Sequence, residues 1–282
     1  MKPAMSLLSL PRRLFLKDDR VGWREHVSNV WKFHQWEQGV RAQYPSVKKA
    51  RGNMTAILLN YARPQNMNLA VHLMLNTPAI GDVVVSNNNP DCDISKWLWA
   101  PTGKLRIMSQ PQKSSSFMRF VVAKEERRSS FFLSVDDDIF LHPAQVQLLC
   151  ERLMADPSVP HGIYGQKWTG DAFRGGIALE ECRVDVLSRV YAYTTAHVSE
   201  FFRLIKEAGL SVDELASLEC TDDIFLSFCG DKRPLIHNVG PFIDCPTQGK
   251  KGIAAWRRDN FHAHREEVYK KLCAIKPLPP DA

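Results

Sequence analysis

Three consecutive aspartates, Asp136, Asp137 and Asp138, follow the apolar run Phe131–Val135. Because side chains alternate along a strand, Asp136 and Asp138 are expected to point one way and Asp137 the other. Two carboxylates a few ångströms apart repel by roughly 3–4 kcal/mol at an effective dielectric of about 20. A divalent cation such as Mn²⁺ or Mg²⁺ removes this repulsion and prefers oxygen ligands. The triplet therefore indicates a metal site, with a solvated acidic turn as the alternative.

A second acidic pair, Asp222 and Asp223, lies at the start of the short predicted helix Thr221–Cys229, which Gly230 ends. Carboxylates in the first turn of a helix interact favourably with its dipole. Capping by one aspartate and solvation of the other would explain the pair without any function. Beside the aspartate triplet, a catalytic or sugar-binding role for Asp223 is an equally good hypothesis.

A third group of functional side chains lies near the C-terminus, in the segment Trp256–Arg265. It contains His262, His264 and several arginines ahead of a predicted helix, Arg265–Leu272. Imidazole can bind a metal or a phosphate, and a guanidinium can hold diphosphate oxygens through two parallel hydrogen bonds. The alternative is a basic surface loop.

The elements that must position these residues alternate between strand and helix patterns. Short apolar runs, typical of strands buried on both faces, alternate with helical spacing, which indicates an α/β fold with a doubly wound, mostly parallel sheet flanked by helices. Ligands of such sheets bind beyond the carboxyl ends of the strands. Three polar segments fall there: Tyr61–Arg63, Asn87–Asn89 and Asp136–Asp138. The predicted strands are Met54–Asn60, Asp82–Ser86, Lys104–Met108 and Phe131–Val135, and the predicted helices are Met67–Leu75, Phe117–Glu126 and His142–Met154.

The rest of the chain is less regular. Residues 1–52 form a basic N-terminal extension with a weak helical pattern between Trp23 and Phe33, and residues 276–282 form a tail. Residues 53–275 form the predicted main domain, with a smaller half at its C-terminal end that the family resemblance described below implies to be the acceptor side. That half contains the predicted strand Val184–Tyr193, the predicted helix Val198–Ala208 and the extended segment Leu235–Ile243.

Composition restricts the function classes. The 282 residues carry a net charge of +6, and 44% of them are hydrophobic, as in ordinary globular proteins. The sequence contains no nucleic-acid-binding signature, so nucleic acid is not an expected partner. It also contains no C-x-x-C pair, so a structural zinc site is not expected. Seven cysteines allow one or two disulfides, or buried thiols only. No stretch approaches the roughly 20 apolar residues of a membrane span, so any membrane association is expected through an anchor outside this sequence.

The order of these features over about residues 53–272 resembles the exostosin-like glycosyltransferases, whose GT-A domain transfers N-acetylhexosamine with retention of configuration. The resemblance rests on the strand followed by Asn60–Arg63, the segment Asp82–Asn89, the aspartate triplet, the segment Cys220–Ile224, and Trp256 followed by His262 and Arg265.

The resemblance implies a sugar transfer from a UDP-sugar to a glycan or glycoconjugate acceptor in the secretory pathway, with Mn²⁺ or Mg²⁺ as the cofactor. It implies that Asp138 and Asp136 bind the metal. It also implies that Asp223 lies at the anomeric carbon and that Arg265 stabilises the leaving diphosphate. The remaining donor contacts would come from Arg63, Asn88, Arg119, Asp136, Asp137 and His262, with His264 as the alternative to His262.

Two other classes of protein remain open from the sequence. A phosphohydrolase or nuclease also places aspartates at strand ends, although the first predicted strand and its loop, Met54–Arg63, contain no acidic residue. A non-catalytic glycan-binding module with the same fold is the other alternative. Such a module would be expected to have lost its aspartates, which this chain keeps.

Overall fold

The structure is a computed structural model that describes residues 6–46, 52–98, 103–211 and 221–278. The helices are α1 (Ser6–Phe15), α2 (Trp23–Gln43), α3 (Pro64–Leu75), α4 (Met118–Glu125), α5 (Pro143–Ala155), α6 (Thr195–Glu207), α7 (Asp222–Ser227) and α8 (Phe261–Ile275). The strands are β1 (Met54–Asn60), β2 (Ile80–Asn87), β3 (Leu105–Ser109), β4 (Phe131–Val135), β5 (Ile139–Phe140), β6 (His161–Gly162), β7 (Tyr164–Trp168), β8 (Phe173–Ala178), β9 (Cys182–Arg183), β10 (Val186–Leu187), β11 (Val190–Thr194), β12 (Leu235–Ile236) and β13 (Ile243–Asp244).

An eight-stranded sheet in the order β3-β2-β1-β4-β11-β6-β12-β9 forms the centre of the fold. β3, β2, β1 and β4 run parallel to one another, whereas β11 is antiparallel to both β4 and β6. Two smaller antiparallel sheets, β10-β7-β8 and β13-β5, belong to the later part of the chain. The predicted α/β fold with a mostly parallel central sheet flanked by helices is confirmed.

Helices cover both faces of this sheet. Ala56 and Leu58 of β1 pack into a core with α3 and α5, whereas Ile57 packs into a second core with α4, α6 and α8. All seven residues of β1 are buried. This double burial explains why the strand has a continuous apolar sequence rather than an alternating one.

The predicted and observed elements agree well in the first half of the chain. β1 and β4 have the predicted bounds, and β2 and α5 differ from prediction by a few residues. The predicted strand Val184–Tyr193 is confirmed only in part: the segment forms two strands, β10 and β11, with an interruption at Arg189, which has a φ of 69°. Only the two ends of the segment Leu235–Ile243 are strands.

The N-terminal helices pack against the main fold on the α3 side of the sheet. Phe33 and Val40 of α2 belong to the same core as β1 and α3. Arg13 of α1 is fully buried and its Nη1 donates to Glu37 Oε2 at 2.7 Å. No helix in the described part of the chain is long and apolar enough to span a membrane.

The described cysteines are free thiols: Cys92, Cys150, Cys182, Cys229, Cys245 and Cys273. Cys220 lies outside the described residues.

Candidate active site

A cleft of about 520 Å³ lies at the carboxyl ends of β1, β2 and β4. This is the edge at which ligands of parallel α/β sheets bind. All nine residues proposed from the sequence for the site line this cleft: Arg63, Asn88, Arg119, Asp136, Asp137, Asp138, Asp223, His262 and Arg265.

The aspartate triplet lies in a turn just beyond the end of β4. The alternation predicted for it is wrong, because the strand stops at Val135 and Arg63 contacts both Asp137 and Asp138. Three hydrogen bonds hold the backbone of this turn. Asp136 N donates to Arg189 O at 2.9 Å, Asn66 Nδ2 donates to Asp137 O at 2.7 Å, and Cys245 N donates to Asp138 O at 2.7 Å.

Arginines from three separate segments of the chain neutralise the triplet. Arg119 Nη2 lies 2.9 Å from Asp136 Oδ1, and Arg63 Nη1 lies 2.6 Å from Asp137 Oδ1. Asp138 has longer contacts, 3.4 Å to Arg63 Nη1 and 3.5 Å to Arg189 Nη2. Carboxylate crowding is therefore compensated within the protein, and crowding by itself does not require a metal.

Burial perturbs the titration of Asp136 and Asp137. Desolvation raises the pKa of Asp136 to about 6, against the opposing effect of Arg119. Desolvation also raises the pKa of Asp137, and the guanidinium of Arg63 opposes this shift. Such perturbed carboxyl groups in a cleft are a frequent property of functional sites.

Asp222 and Asp223 are both buried, so the explanation by capping and solvation is wrong. Asp222 accepts hydrogen bonds from Ser116 Oγ and from Tyr191 OH, and its Oδ2 lies 3.2 Å from Arg119 Nε. Arg119 thus lies between Asp136 and Asp222 and connects the triplet to the start of α7.

Asp223 forms a two-point ion pair with Arg265 of α8. Arg265 Nη1 donates to Asp223 Oδ1 at 2.7 Å and Nη2 donates to Oδ2 at 3.0 Å. Desolvation raises the pKa of Asp223, and Arg265 opposes this shift. The geometry fixes the carboxylate plane of Asp223 in the wall of the cleft.

His262, rather than His264, is the histidine of this segment that lines the cleft. It lies in the first turn of α8, one turn before Arg265. The rim nearby is formed by Trp256 and by Arg20 of the loop between α1 and α2, whose guanidinium carbon lies 5.0 Å from the Trp256 ring centre.

Several charged or aromatic residues that line the cleft received no site role from the sequence, and Arg189, Tyr191 and Asp222 are examples. Arg189 and Tyr191 lie in a segment whose apolar pattern indicates a plain strand, and Asp222 has the usual position of a helix-capping residue. An arginine within an apolar run was the one available signal for Arg189.

The residues of the triplet fit a divalent cation whose coordination is completed by a ligand. Asp136 and Asp138 are partly open to the cleft, and the contacts of Asp138 exceed the length of a short charge-assisted hydrogen bond. Within the described residues, no group of three or more His, Cys, Asp or Glu side chains could hold a metal ion. Mg²⁺ often uses one or two carboxylates and takes its other ligands from water and substrate phosphates.

Comparison of the chain with protein-family models finds no match, and comparison with curated protein sequences finds none either. Solved structures do match the fold. A crystal structure of GalNAc-T7 with UDP, GalNAc and Mn²⁺ superposes with a TM-score of 0.55 at 9% identity, covering 79% of this chain and 48% of that one. The chain thus spans about half the length of GalNAc-T7.

Structures of residues 1–349 of S. aureus TarS also match. The complex with UDP has a TM-score of 0.45 at 16% identity, covering 78% of this chain and 70% of that one. The complex with UDP-GlcNAc has a TM-score of 0.44 at 14% identity, covering 78% and 71%. The likeness to GalNAc-T7 concerns the fold alone, and it places the chain among proteins with the GT-A fold of glycosyltransferases.

Proposed function

We propose that this chain is a glycosyltransferase that binds a UDP-sugar in the cleft together with Mn²⁺ or Mg²⁺. The observation that supports this most strongly is the convergence of the aspartate triplet and the Asp223–Arg265 pair on one cleft at the carboxyl edge of the sheet. The GT-A fold, which this chain shares with GalNAc-T7, supports the same reaction class. The crystal of GalNAc-T7 contained UDP, GalNAc and Mn²⁺.

The donor would bind across the strand ends. Arg63 and Asn88, which follow β1 and β2, are proposed to contact the uridine, with Arg119 and Asp137 as further donor contacts. Asn88 is held rigidly, because its Nδ2 donates to Ser115 O at 2.7 Å and its Oδ1 accepts from Ser86 Oγ at 2.7 Å. Asp138 and Asp136 would hold the cation, which would supply positive charge to the diphosphate leaving group.

Asp223 is proposed to act at the anomeric carbon, either as a nucleophile or by stabilising positive charge on the sugar. Retention of configuration agrees with both roles. Arg265 holds Asp223 through both terminal nitrogens, so its first role would be to orient this carboxylate. His262, one helical turn away, is proposed to assist Arg265 at the leaving diphosphate.

Three finer points of the proposal depend on the resemblance to the exostosin-like family. They are N-acetylhexosamine as the transferred sugar, a glycan or glycoconjugate as the acceptor, and the secretory pathway as the location. The residues that support them are those that the sequence shares with that family, all of which except Cys220 lie in the described part of the chain.

The test is a donor screen that measures free UDP released from several UDP-sugars with Mn²⁺, with Mg²⁺ and with a chelator. Calorimetry then compares UDP binding by the parent protein, by Asp138→Ala and by the matched control Asp171→Ala, which replaces an exposed aspartate outside the cleft. We expect Asp138→Ala to abolish metal-dependent UDP binding and Asp171→Ala to preserve it. Unchanged binding by Asp138→Ala would remove the metal assignment, and no UDP release with any donor would contradict the proposed reaction.

A further inference from the structure

One side of α2 exposes a row of large apolar side chains. Trp23, Val27 and Trp31 are 60%, 48% and 55% exposed, and we refer to these three residues as the tryptophan stripe. Phe15, the last residue of α1, is 82% exposed. The surfaces of soluble proteins commonly expose single apolar side chains, but a row of bulky apolar side chains on one helix indicates a contact surface.

Helix geometry places the stripe on a single face. Residues four apart are neighbours on a helix, so the three side chains lie within about 80° of arc. The adjacent face of α2 is buried against the protein through Val30, Phe33 and Val40 among others. The stripe is therefore not part of the core contact, and it needs another explanation.

Two cations lie beside the stripe. Arg24 lies about 20° beyond Trp31 on the helix surface, and the Lys17 ammonium lies 5.9 Å from the Trp23 ring centre. The two acidic residues of α2 lie elsewhere: Glu37 is buried and paired with Arg13, and Glu25 lies on the opposite side of the helix. A surface that contacts the stripe would thus meet cations and no carboxylate of α2.

We propose that the tryptophan stripe, with Lys17 and Arg24 beside it, docks on the surface of an anionic lipid bilayer. Tryptophan favours the membrane–water interface, because its ring is apolar and its N–H is polar. A helix that presents apolar side chains beside cations binds such interfaces, and anionic lipids strengthen the attachment. This attachment differs from a membrane span and needs no residue outside the described chain.

The stripe begins close to the rim of the cleft. Asp18 Oδ2 accepts a hydrogen bond from Gly249 N at 3.2 Å, and Arg20 lines the cleft beside Trp256. Trp23 follows Arg20 after only two intervening residues. Docking through the stripe would therefore hold the mouth of the cleft near the bilayer.

The test is co-sedimentation of the full chain with phosphatidylcholine vesicles that contain or lack phosphatidylserine, without donor or metal. We expect binding to the anionic vesicles and weakening by salt. The double variant Trp23→Ser/Trp31→Ser should bind at least about tenfold more weakly. The charge reversal Arg24→Glu should weaken binding about fivefold or more.

Matched controls separate the stripe from general surface effects. Ile107→Ser/Met154→Ser removes two exposed apolar side chains elsewhere, and Lys206→Glu makes the same charge change on α6. Both controls should bind like the parent protein. Because no donor is present, the result is independent of the proposed enzymatic activity.

Two outcomes would overturn the proposal. One is equal binding of the parent and Trp23→Ser/Trp31→Ser to anionic vesicles, or no binding by either. The other is a chain that does not bind vesicles but self-associates in analytical ultracentrifugation, with the double variant abolishing the self-association. The stripe would then be a protein–protein interface.

Discussion

Replacing Arg265 by alanine should destabilise the fold by about 3–5 kcal/mol. The side chains of Arg265 and Asp223 are only 6% and 12% exposed, so the pair is largely desolvated. Removing one partner leaves an uncompensated buried charge, which typically costs about 3–5 kcal/mol. The two hydrogen bonds of 2.7 Å and 3.0 Å give a similar figure, at about 1.5–3 kcal/mol for each bond to a charged group. This loss is a large part of the roughly 5–15 kcal/mol by which domains are stable.

Two companion variants make the reasoning testable even if Arg265→Ala folds poorly. Arg265→Lys keeps the charge but loses one of the two parallel hydrogen bonds, so a loss of about 1–2 kcal/mol is expected. Asp223→Leu/Arg265→Met removes both charges. It should lower the free energy of unfolding by much less than Asp223→Leu and Arg265→Met do in sum. Arg203→Ala, which breaks exposed pairs on α6, is the control and should cost less than about 1 kcal/mol.

The assay is urea unfolding followed by tryptophan fluorescence, with the midpoint compared at constant slope. A loss of unfolding free energy in Arg265→Ala no larger than that in Arg203→Ala would contradict the role given to the buried ion pair. That role is also contradicted if the double variant at Asp223 and Arg265 costs the full sum of the single variants, because the two residues would then act independently.

Two further predictions concern buried histidines and backbone strain. Burial lowers the pKa of His161 and of His197 from 6.5 to about 4, so both stay neutral in the folded chain while the unfolded chain takes up protons below pH 6.5. The free energy of unfolding should therefore fall as the pH drops, by about 2 kcal/mol per histidine at pH 5, and urea titrations of the parent and of His161→Asn at pH 7 and pH 5 would measure it. Arg189 has a φ of 69°, so Arg189→Gly should be about 1 kcal/mol more stable than Arg189→Ala, and an unfolding midpoint that favours alanine would contradict the strain.

The half of the site on parallel strands could be predicted because burial and position both leave a mark on local sequence. β1 and β4 are buried on both faces, so each appears as an apolar run, and the polar residues after such a run mark the edge of the sheet at which the candidate site lies. The pairing of Asp136 with Arg119 could not be predicted in this way. These residues are on different elements, and the contact depends on how α4 packs against the sheet.

The helix α2 was predicted only weakly and over part of its length, for a different reason. Its 21 residues bury the polar side chains of His26 and Glu37 while exposing Trp23 and Trp31. Glu37 can be buried because Arg13 and Arg41 neutralise it. An amphipathic helix is recognised by one apolar face and one polar face. Because α2 buries polar residues and exposes aromatic ones, its sequence shows only a weak helical period.

The charge balance of the cleft gives a firmer reason to expect a divalent cation than the crowding of carboxylates does. Five aspartates and six arginines line the cleft: Asp136, Asp137, Asp138, Asp222 and Asp223, and Arg20, Arg63, Arg119, Arg189, Arg258 and Arg265. The triplet is already neutralised by guanidinium groups, so a diphosphate that enters alone must compete with Asp136 or Asp137 for an arginine. A diphosphate that enters with a divalent cation adds little net charge and leaves the short ion pairs in place. Asp138 has the longest contacts of the triplet, so its carboxylate could turn towards the cation. The proposed metal dependence would thus spare the ion pairs that the protein would otherwise have to break.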